Sequence, residues 1–172
     1  EELRKLKKLV RGSLKDVRKI IYDLRPMSLD DLGLIPTIQR YVSIFQEESN
    51  VKAEVKVLKN KGDANSIVEI AVFRIAQEAL NNISKHSEAE NVSIAVEITM
   101  NNLNMIIEDD GKGFDIEETF KGSQTLDSGF GLLRMKERAQ LLNGKLDIKS
   151  TKNRGTKVIL KIPLNKEVTN CG

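Results

Sequence analysis

Hydrophobic positions along the chain change period several times, and each change marks an element. Over residues 1–24, Leu3, Val10, Val17 and Leu24 recur every seven residues, with Leu6 and Ile20 at the intermediate seam position. Heptads of this kind, interrupted at Ser13, predict a helix packed in a bundle or coiled coil; the plainer alternative is one amphipathic helix lying on its own domain. Arg25-Pro26 ends it, because the residue before proline avoids the helical region. A second helix is expected from Ser28–Asp31 to Glu48, capped by Asp30 or Asp31, with Pro36 in its first turns where a missing N–H costs little. Residues 52–58 (KAEVKVL) alternate and predict a half-buried strand. Lys61-Gly62-Asp63 reads as a turn, and 64–86 as a long, mostly apolar helix.

Two strands are expected at 91–99 and 103–109, joined by a tight turn at Asn101-Asn102. Residues 110–128 have no clean period and are rich in Gly, Ser, Asp and Thr. A long loop of this kind inside a compact domain is usually functional or mobile. Helix signals return at 130–142 and stop at Asn143-Gly144. Strands at 145–150 and 156–162 follow, Pro163 ends the last, and 165–172 reads as a loose tail. Segregated helices and mostly antiparallel neighbours predict an α/β (α+β) two-layer sandwich, a mixed sheet with helices on one face.

Composition narrows the function classes. Apolar residues make up 40% of the 172, enough for one sizeable core and too many for a disordered chain. Aromatics are only 4%, with no Trp, which argues against an aromatic-rich binding surface. No apolar run approaches the roughly 18 residues of a membrane span, and EELRKLKKLV has no signal-peptide core. The lone Cys171 excludes an internal disulfide framework and a cysteine zinc site, and fits a reducing cytoplasm. With no initiating Met, a fragment of a longer protein is expected. The net charge of +3 is uneven: residues 1–25 hold nine Lys/Arg and four Asp/Glu. A basic helical arm on a near-neutral domain fits that distribution, and a direct nucleic-acid binder does not.

Four stretches carry candidate chemistry. In FRIAQEALNNISKH (73–86), an apolar helix surface is set against Glu78, Asn82, Lys85 and His86, which spacings of four and three bring to one face. Such polar groups on a core helix are costly to bury without partners, and Asn is a poor interior helix former. In IIEDDGKGFD (106–115), a strand ends at Asp109, with Gly111 and Gly113 following. Glycines there let the backbone pass close to a flat or charged ligand, and the acid can accept from an amino-bearing heterocycle. A calcium loop or a plain turn would give a similar pattern, but the EF-hand ligand series is missing. In SGFGLLRMKERAQLLNG (128–144), Gly129 and Gly131 open a helix whose first N–H groups offer an anion site. Arg154-Gly155-Thr156 leads into the last strand. Seven of the eleven glycines fall between 111 and 155, while Walker A and Rossmann fingerprints are absent.

In this order the stretches resemble the ATP-binding domain of sensor histidine kinases, in the superfamily shared with gyrase, Hsp90 and MutL. They match its N box (Glu78 to His86), G1 box (Asp109 to Phe114), G2 box (Gly129-Phe130-Gly131-Leu132) and final Gly155-Thr156, covering roughly residues 50–164. Upstream, Tyr22-Asp23-Leu24-Arg25-Pro26 and Leu29-Asp30-Asp31-Leu32-Gly33-Leu34 resemble the linker of NarL/DegS-type kinases. The resemblance implies a Bergerat-type ATP-binding fold behind a long N-terminal helix. Residues 1–25 would be the second helix of the dimerisation and phosphotransfer bundle, 26–50 the linker and first helix of the ATP domain, 51–164 the catalytic core with a lid at 115–128, and 165–172 a flexible tail.

The resemblance also implies roles. Asp109 would accept the adenine amino group, Gly111 and Gly113 would admit the ring, and Thr156 would support it. Asn82 would ligate Mg²⁺, Lys85 and His86 would contact phosphate, and Glu78 would serve as general base or polarise the nucleophile. Backbone amides around Gly129, Phe130, Gly131 and Leu132 would hold the phosphates. ATP and Mg²⁺ are thus the implied cofactors; a homodimer and a response-regulator receiver domain are the implied partners, and this part of the protein would be cytoplasmic. The phosphoacceptor is expected elsewhere, because the single histidine, His86, lies in the N box and is followed by Ser87. Two alternatives remain: a non-kinase ATPase clamping a dimer, and an ATP-binding interaction module.

Overall fold

The computed structural model describes residues 27–116 and 130–164, together with Leu6, Lys7 and Val10, which are helical. Most of the expected arm, most of the lid and the tail lie outside the described residues. Two helices come first, α1 (Met27–Leu32) and α2 (Leu34–Ser49), then strand β1 (Lys52–Asn60). Helix α3 (Ser66–Asn82) follows and continues into one π-helical turn, Ile83–Ser87. Strands β2 (Asn91–Ile98) and β3 (Asn102–Asp109), helix α4 (Phe130–Gln140) and strands β4 (Lys145–Ser150) and β5 (Thr156–Pro163) complete the described elements.

The strands form one five-stranded sheet in the order β1-β2-β3-β5-β4. β1 runs parallel to β2, and every other pair is antiparallel. The parallel pair requires a crossover, and α3 supplies it. Alternation sets the faces. Val92, Ile94, Val96 and Ile98 of β2 are buried, as are Leu103, Met105 and Ile107 of β3 and Val158, Leu160 and Ile162 of β5. The intervening residues point to the other side, where Glu108 and Lys157 pair at 2.8 Å. Among the described residues, helices therefore cover one face only.

α3 lies at the centre of that layer. Asn65 starts it, its side chain accepting from the Val68 amide at 2.9 Å, which satisfies one of the four orphan donors. Val72, Phe73, Ile75, Ala76 and Leu80 are almost wholly removed from solvent. Tyr41 of α2 meets Phe73 edge-on, with ring centroids 5.5 Å apart.

Several details differ from the sequence expectation. The helix expected over 28–48 is two helices, because Gly33 sits at φ 79°, a left-handed conformation that breaks the run. Neither Asp30 nor Asp31 caps the second of them: the Leu34 amide donates to Glu69 Oε1 at 3.2 Å instead. Pro36 falls in the first turn of α2, as expected. The β2–β3 turn has Met100 and Asn101 at its tip, one residue earlier than the sequence implied. Thr99 fixes it, its amide and hydroxyl donating to the Asn102 carbonyl at 2.9 and 3.0 Å.

Candidate functional site

Where α3 passes the ends of β3 and β5, a cavity of about 340 Å³ opens between the helix layer and the sheet. Its walls are apolar, from Ala79 and Ile83 of the helix, Ile107 and Val158 of the sheet, and Leu132 and Met135 of α4. Polar groups enter at two ends. Asn82, Lys85 and His86 come from the end of α3 and its π turn, while Asp109 and Thr156 come from the paired strands. This is the composition of a small-molecule site: an apolar body with a few placed polar groups.

The π turn shapes the first end. π geometry in a helix is rare and concentrates at functional sites. Ser87 closes it, its hydroxyl donating to the Ile83 carbonyl at 2.9 Å and accepting from the Ala89 amide at 3.1 Å. Glu88 then turns the chain in a left-handed conformation at φ 55°. The Ser87 carbonyl accepts the Lys112 amide at 2.7 Å, fastening this turn to the glycine loop after β3.

Asp109 anchors the second end. It pairs with Thr156 across β3 and β5 and is 5% exposed. Burial pushes its carboxyl above the ordinary range, and the neighbouring charges of Asp110 and Glu108 add to that. Hydrogen bonds from the Gly111 and Thr156 amides pull the other way. The Gly111 bond is 2.9 Å long. A desolvated carboxyl at a strand end retains acceptor capacity toward the cavity.

Asp110 faces away and does different work. Its Oδ1 accepts the Glu90 and Asn91 amides, each at 2.9 Å, and its Oδ2 accepts the Asn91 side-chain amide at 2.7 Å. These bonds hold its carboxyl below the usual range. They also pin the start of the glycine loop to β2.

The glycines divide their work. A Cβ on Gly111 would overlap the Ser87 carbonyl, so this residue lets the two loops close on each other; it does not line the cavity. Gly113 and Gly131 do line it. Gly131, in the first turn of α4, faces Glu78: a Cβ there would overlap Glu78 Oε1, and Asn82 Nδ2 lies 3.5 Å from the same point. Glu78 is therefore packed on the start of α4. It lines a neighbouring groove rather than the cavity itself, and Met135 forms a wall of both.

Of the residues singled out in the sequence, Asn82, Lys85, His86, Asp109, Gly113, Gly131, Leu132 and Thr156 thus surround one space. Phe130 does not: its ring is 46% exposed on the outer side of α4. Gly129 lies outside the described residues. Sequence reading missed Ser150, whose hydroxyl accepts the Phe114 amide at 2.9 Å, donates to the Gly155 carbonyl at 3.1 Å and meets Thr156 Oγ1 at 3.0 Å. One hydroxyl thereby ties together the loop after β3, the β4–β5 turn and the adenine-side candidate Thr156. Nothing in the local sequence marks it. It also missed Lys112 and Phe114 as lining residues.

A mixed sheet with one helical layer, and a cavity between a polar helix stripe and an Asp–Gly strand end, define an ATPase domain of one particular class. The chain belongs to the histidine kinase-, DNA gyrase B- and HSP90-like ATPase family, whose pattern matches residues 67–166. Among its relatives, the signal transduction histidine-protein kinase/phosphatase DegS of Brevibacillus brevis is 44% identical over 167 residues, covering 97% of this chain and 42% of that protein. DegS of Bacillus subtilis is also 44% identical, covering 96% and 43%. The oxygen sensor histidine kinase NreB of Staphylococcus carnosus is 34% identical, covering 88% and 42%. The chain thus spans about two fifths of the length of the curated relatives it matches. Solved structures agree on the fold. The histidine kinase domain of the blue-light activated kinase of Erythrobacter litoralis EL346 superposes with TM-score 0.60 at 20% identity, covering 74% of this chain and 59% of that one. The mycobacterial sensor histidine kinase MprB gives 0.56 at 20% identity, covering 73% and 91%. No helix among the described residues is long and apolar enough to cross a membrane.

Proposed function

We propose that this chain is the ATP-binding catalytic module of a two-component sensor histidine kinase. It binds ATP with Mg²⁺ and presents the γ-phosphoryl group to a histidine other than His86, for relay to a response-regulator receiver domain. The observation that carries the reading is that Asn82, Lys85 and His86 line one apolar-walled cavity together with Asp109 and Thr156. The purine takes the strand end, with its amino group donating to Asp109. The phosphates take the helix end, near Lys85 and the amides at the start of α4.

The donor set fits a nucleotide-borne magnesium. Among the described residues there is no group of three His, Cys, Asp or Glu side chains able to hold a metal. Mg²⁺ is commonly held by one or two protein oxygens plus substrate phosphates and water, and the Asn82 carboxamide oxygen supplies one such donor. When bound, the ion neutralises phosphate charge.

Transfer forms an N–P bond at the acceptor imidazole and breaks the bond between the γ-phosphorus and the bridging oxygen, releasing ADP. Glu78 polarises the attacking nitrogen or takes its proton. The rest of the chain's contribution is orientation and charge compensation. In the whole protein this module works within a homodimer in the cytoplasm, where ATP and the regulator are available.

Isothermal titration of the folded chain with ATP, with and without Mg²⁺, tests the reading. Magnesium-dependent binding that disappears in Asn82→Ala is expected. No heat at millimolar nucleotide sinks the proposal.

A further inference from the structure

Ser150 and Thr156 stand opposite each other on β4 and β5. Thr156 shares the face of β5 that carries the buried Val158 and Leu160, and it lines the nucleotide cavity. Ser150 is not part of the cavity wall. It stands behind Thr156, with the two hydroxyl oxygens 3.0 Å apart. In an isolated pair either hydroxyl could donate; here the neighbours decide which one does.

A serine hydroxyl has one proton and two acceptor positions. The Phe114 amide can only donate, and at 2.9 Å it fills one acceptor position of Ser150. The Gly155 carbonyl can only accept, and at 3.1 Å it takes the Ser150 proton. Gly155 is buried, so its carbonyl is costly to leave without a donor. What remains for Thr156 is the second acceptor position of Ser150, so Thr156 donates. Its single proton is thereby committed away from the cavity. Among the described residues Thr156 Oγ1 has no other hydrogen-bond partner, and toward a ligand it offers lone pairs alone. Asp109, its cross-strand neighbour in the same cavity wall, is an acceptor as well.

We propose that Ser150 is a positioning residue that sets the base selectivity of this site: by holding the Thr156 proton it keeps two acceptors side by side at the strand end, a pattern that fits a 6-aminopurine and opposes a 6-oxopurine. The inference rests on the proposed binding of ATP. An exocyclic amino group has two protons to give. A 6-oxo oxygen brings lone pairs against lone pairs and leaves buried groups unpaired. Without Ser150 the Thr156 hydroxyl turns freely and can donate to the oxo group. Asp109 continues to oppose that group, so part of the selectivity remains.

The test is calorimetric titration of the protein, in Mg²⁺, with ATP and with inosine triphosphate, which carries a 6-oxo group in place of the 6-amino group. The ratio of the two Kd values reads the base preference. Ser150→Ala lowers the preference for ATP about fivefold or more, and Ser150→Thr, which keeps a hydroxyl, retains most of it. Thr156→Val lowers it as well, and adding Ser150→Ala to Thr156→Val changes it no further, because Ser150 acts through Thr156. Equal losses of affinity for both nucleotides in Ser150→Ala overturn the inference, reducing Ser150 to a tie between two loops, and leave the ATP site standing. Thr156→Val with the parent's preference also overturns it, and this variant decides the matter should Ser150→Ala fail to fold. A further drop in the double variant overturns it too. A parent that binds both nucleotides equally removes this inference alone; a parent that binds neither removes the ATP reading along with it.

Discussion

The Leu34 amide donates to Glu69 Oε1 at 3.2 Å, so the N-terminus of α2 is capped by a side chain 35 residues further along the chain. The bond joins the helix that follows Gly33 to α3, the helix that carries Glu78 and Asn82. Burial pushes the Glu69 carboxyl up, and Asp30 and Asp63 push it further, against the pull of the Leu34 amide.

Removing this cap has a predictable cost. Glu69→Ala lowers stability by about 1 kcal/mol, the usual value of a helix N-cap. Glu69→Gln keeps a carbonyl acceptor and removes the charge. Because the folded carboxyl titrates above its ordinary 4.5, its contribution is fully present below that pH and is lost as pH rises through the folded value. The glutamine variant is therefore at least as stable as the parent at neutral pH, and the difference closes on acidification. Thermal unfolding of both variants across this range checks it. A glutamine variant weaker than the parent at neutral pH would show that the charge strengthens the cap more than burial penalises it.

Asp109→Asn separates binding from stability at one position. Asn retains an oxygen for the Gly111 amide and carries no charge into the buried strand end. Asp109 titrates above its ordinary 3.8, so its ionised form opposes folding at neutral pH. Asp109→Asn is expected to unfold at the same temperature as the parent or higher near pH 7, with the gap shrinking as pH falls toward 3.8. Nucleotide affinity drops about tenfold or more, because a carboxylate acceptor facing an amino donor becomes a carboxamide that can present the wrong group. Calorimetric binding and thermal unfolding of one preparation give both numbers.

The sequence made the sheet legible because three of its strands alternate cleanly and one face is buried. Val92, Ile94, Val96 and Ile98 give the period directly. It made most of the cavity legible too, since Asn82 and Asp109 are residues that a core helix and a buried strand end do not carry without reason. Other features depend on contacts distant in sequence. Glu69 caps a helix 35 positions away, and Ser150 bonds to Phe114 from 36 positions away. No local pattern reports such partners. Gly33 was visible as a residue, but a single glycine is tolerated inside many helices, and only its φ of 79° shows that it breaks this one. Phe130 is expected to act through its backbone amide; its side chain, 46% exposed on α4, does not line the cavity.

Asp110 offers the opposite titration. Its folded carboxyl is held below 3.8 by Asn91 and by the Glu90 amide, so its stabilisation is present above that pH and lost as pH falls through the folded value. Asp110→Ala removes the acceptor for three donors and lowers the unfolding temperature at neutral pH. The loss is smaller in acid, where the parent's own carboxyl becomes protonated. Nucleotide affinity falls as well, since these bonds fix the loop that follows Asp109. An unfolding curve superimposable on the parent's at neutral pH would mean the exposed bonds are replaced by water at no cost.

Gly113→Ala tests whether the turn after β3 is held in its conformation by contacts on both sides. Gly113 has φ 56°, and an added Cβ would overlap the Thr151 carbonyl and stand 2.8 Å from the Gly155 carbonyl. A left-handed conformation costs an alanine roughly 1–2 kcal/mol even in open space. Here the backbone cannot move aside easily, because the Lys112 carbonyl accepts the Asn153 amide at 2.6 Å and Ser150 holds the Phe114 amide. The combined cost is therefore about 2 kcal/mol or more. In a domain of this size that lowers the unfolding temperature by several degrees, roughly 4–8 °C. Affinity for ATP falls in the same variant, because Gly113 and Phe114 both line the cavity. For stability, Lys112→Ala is the control: it leaves the backbone turn intact and removes an exposed ion pair with Glu88, of the kind that contributes little. A Gly113→Ala protein that unfolds with the parent would mean that the turn relaxes freely, and that the close contacts of Thr151 and Gly155 do not hold the loop against the sheet.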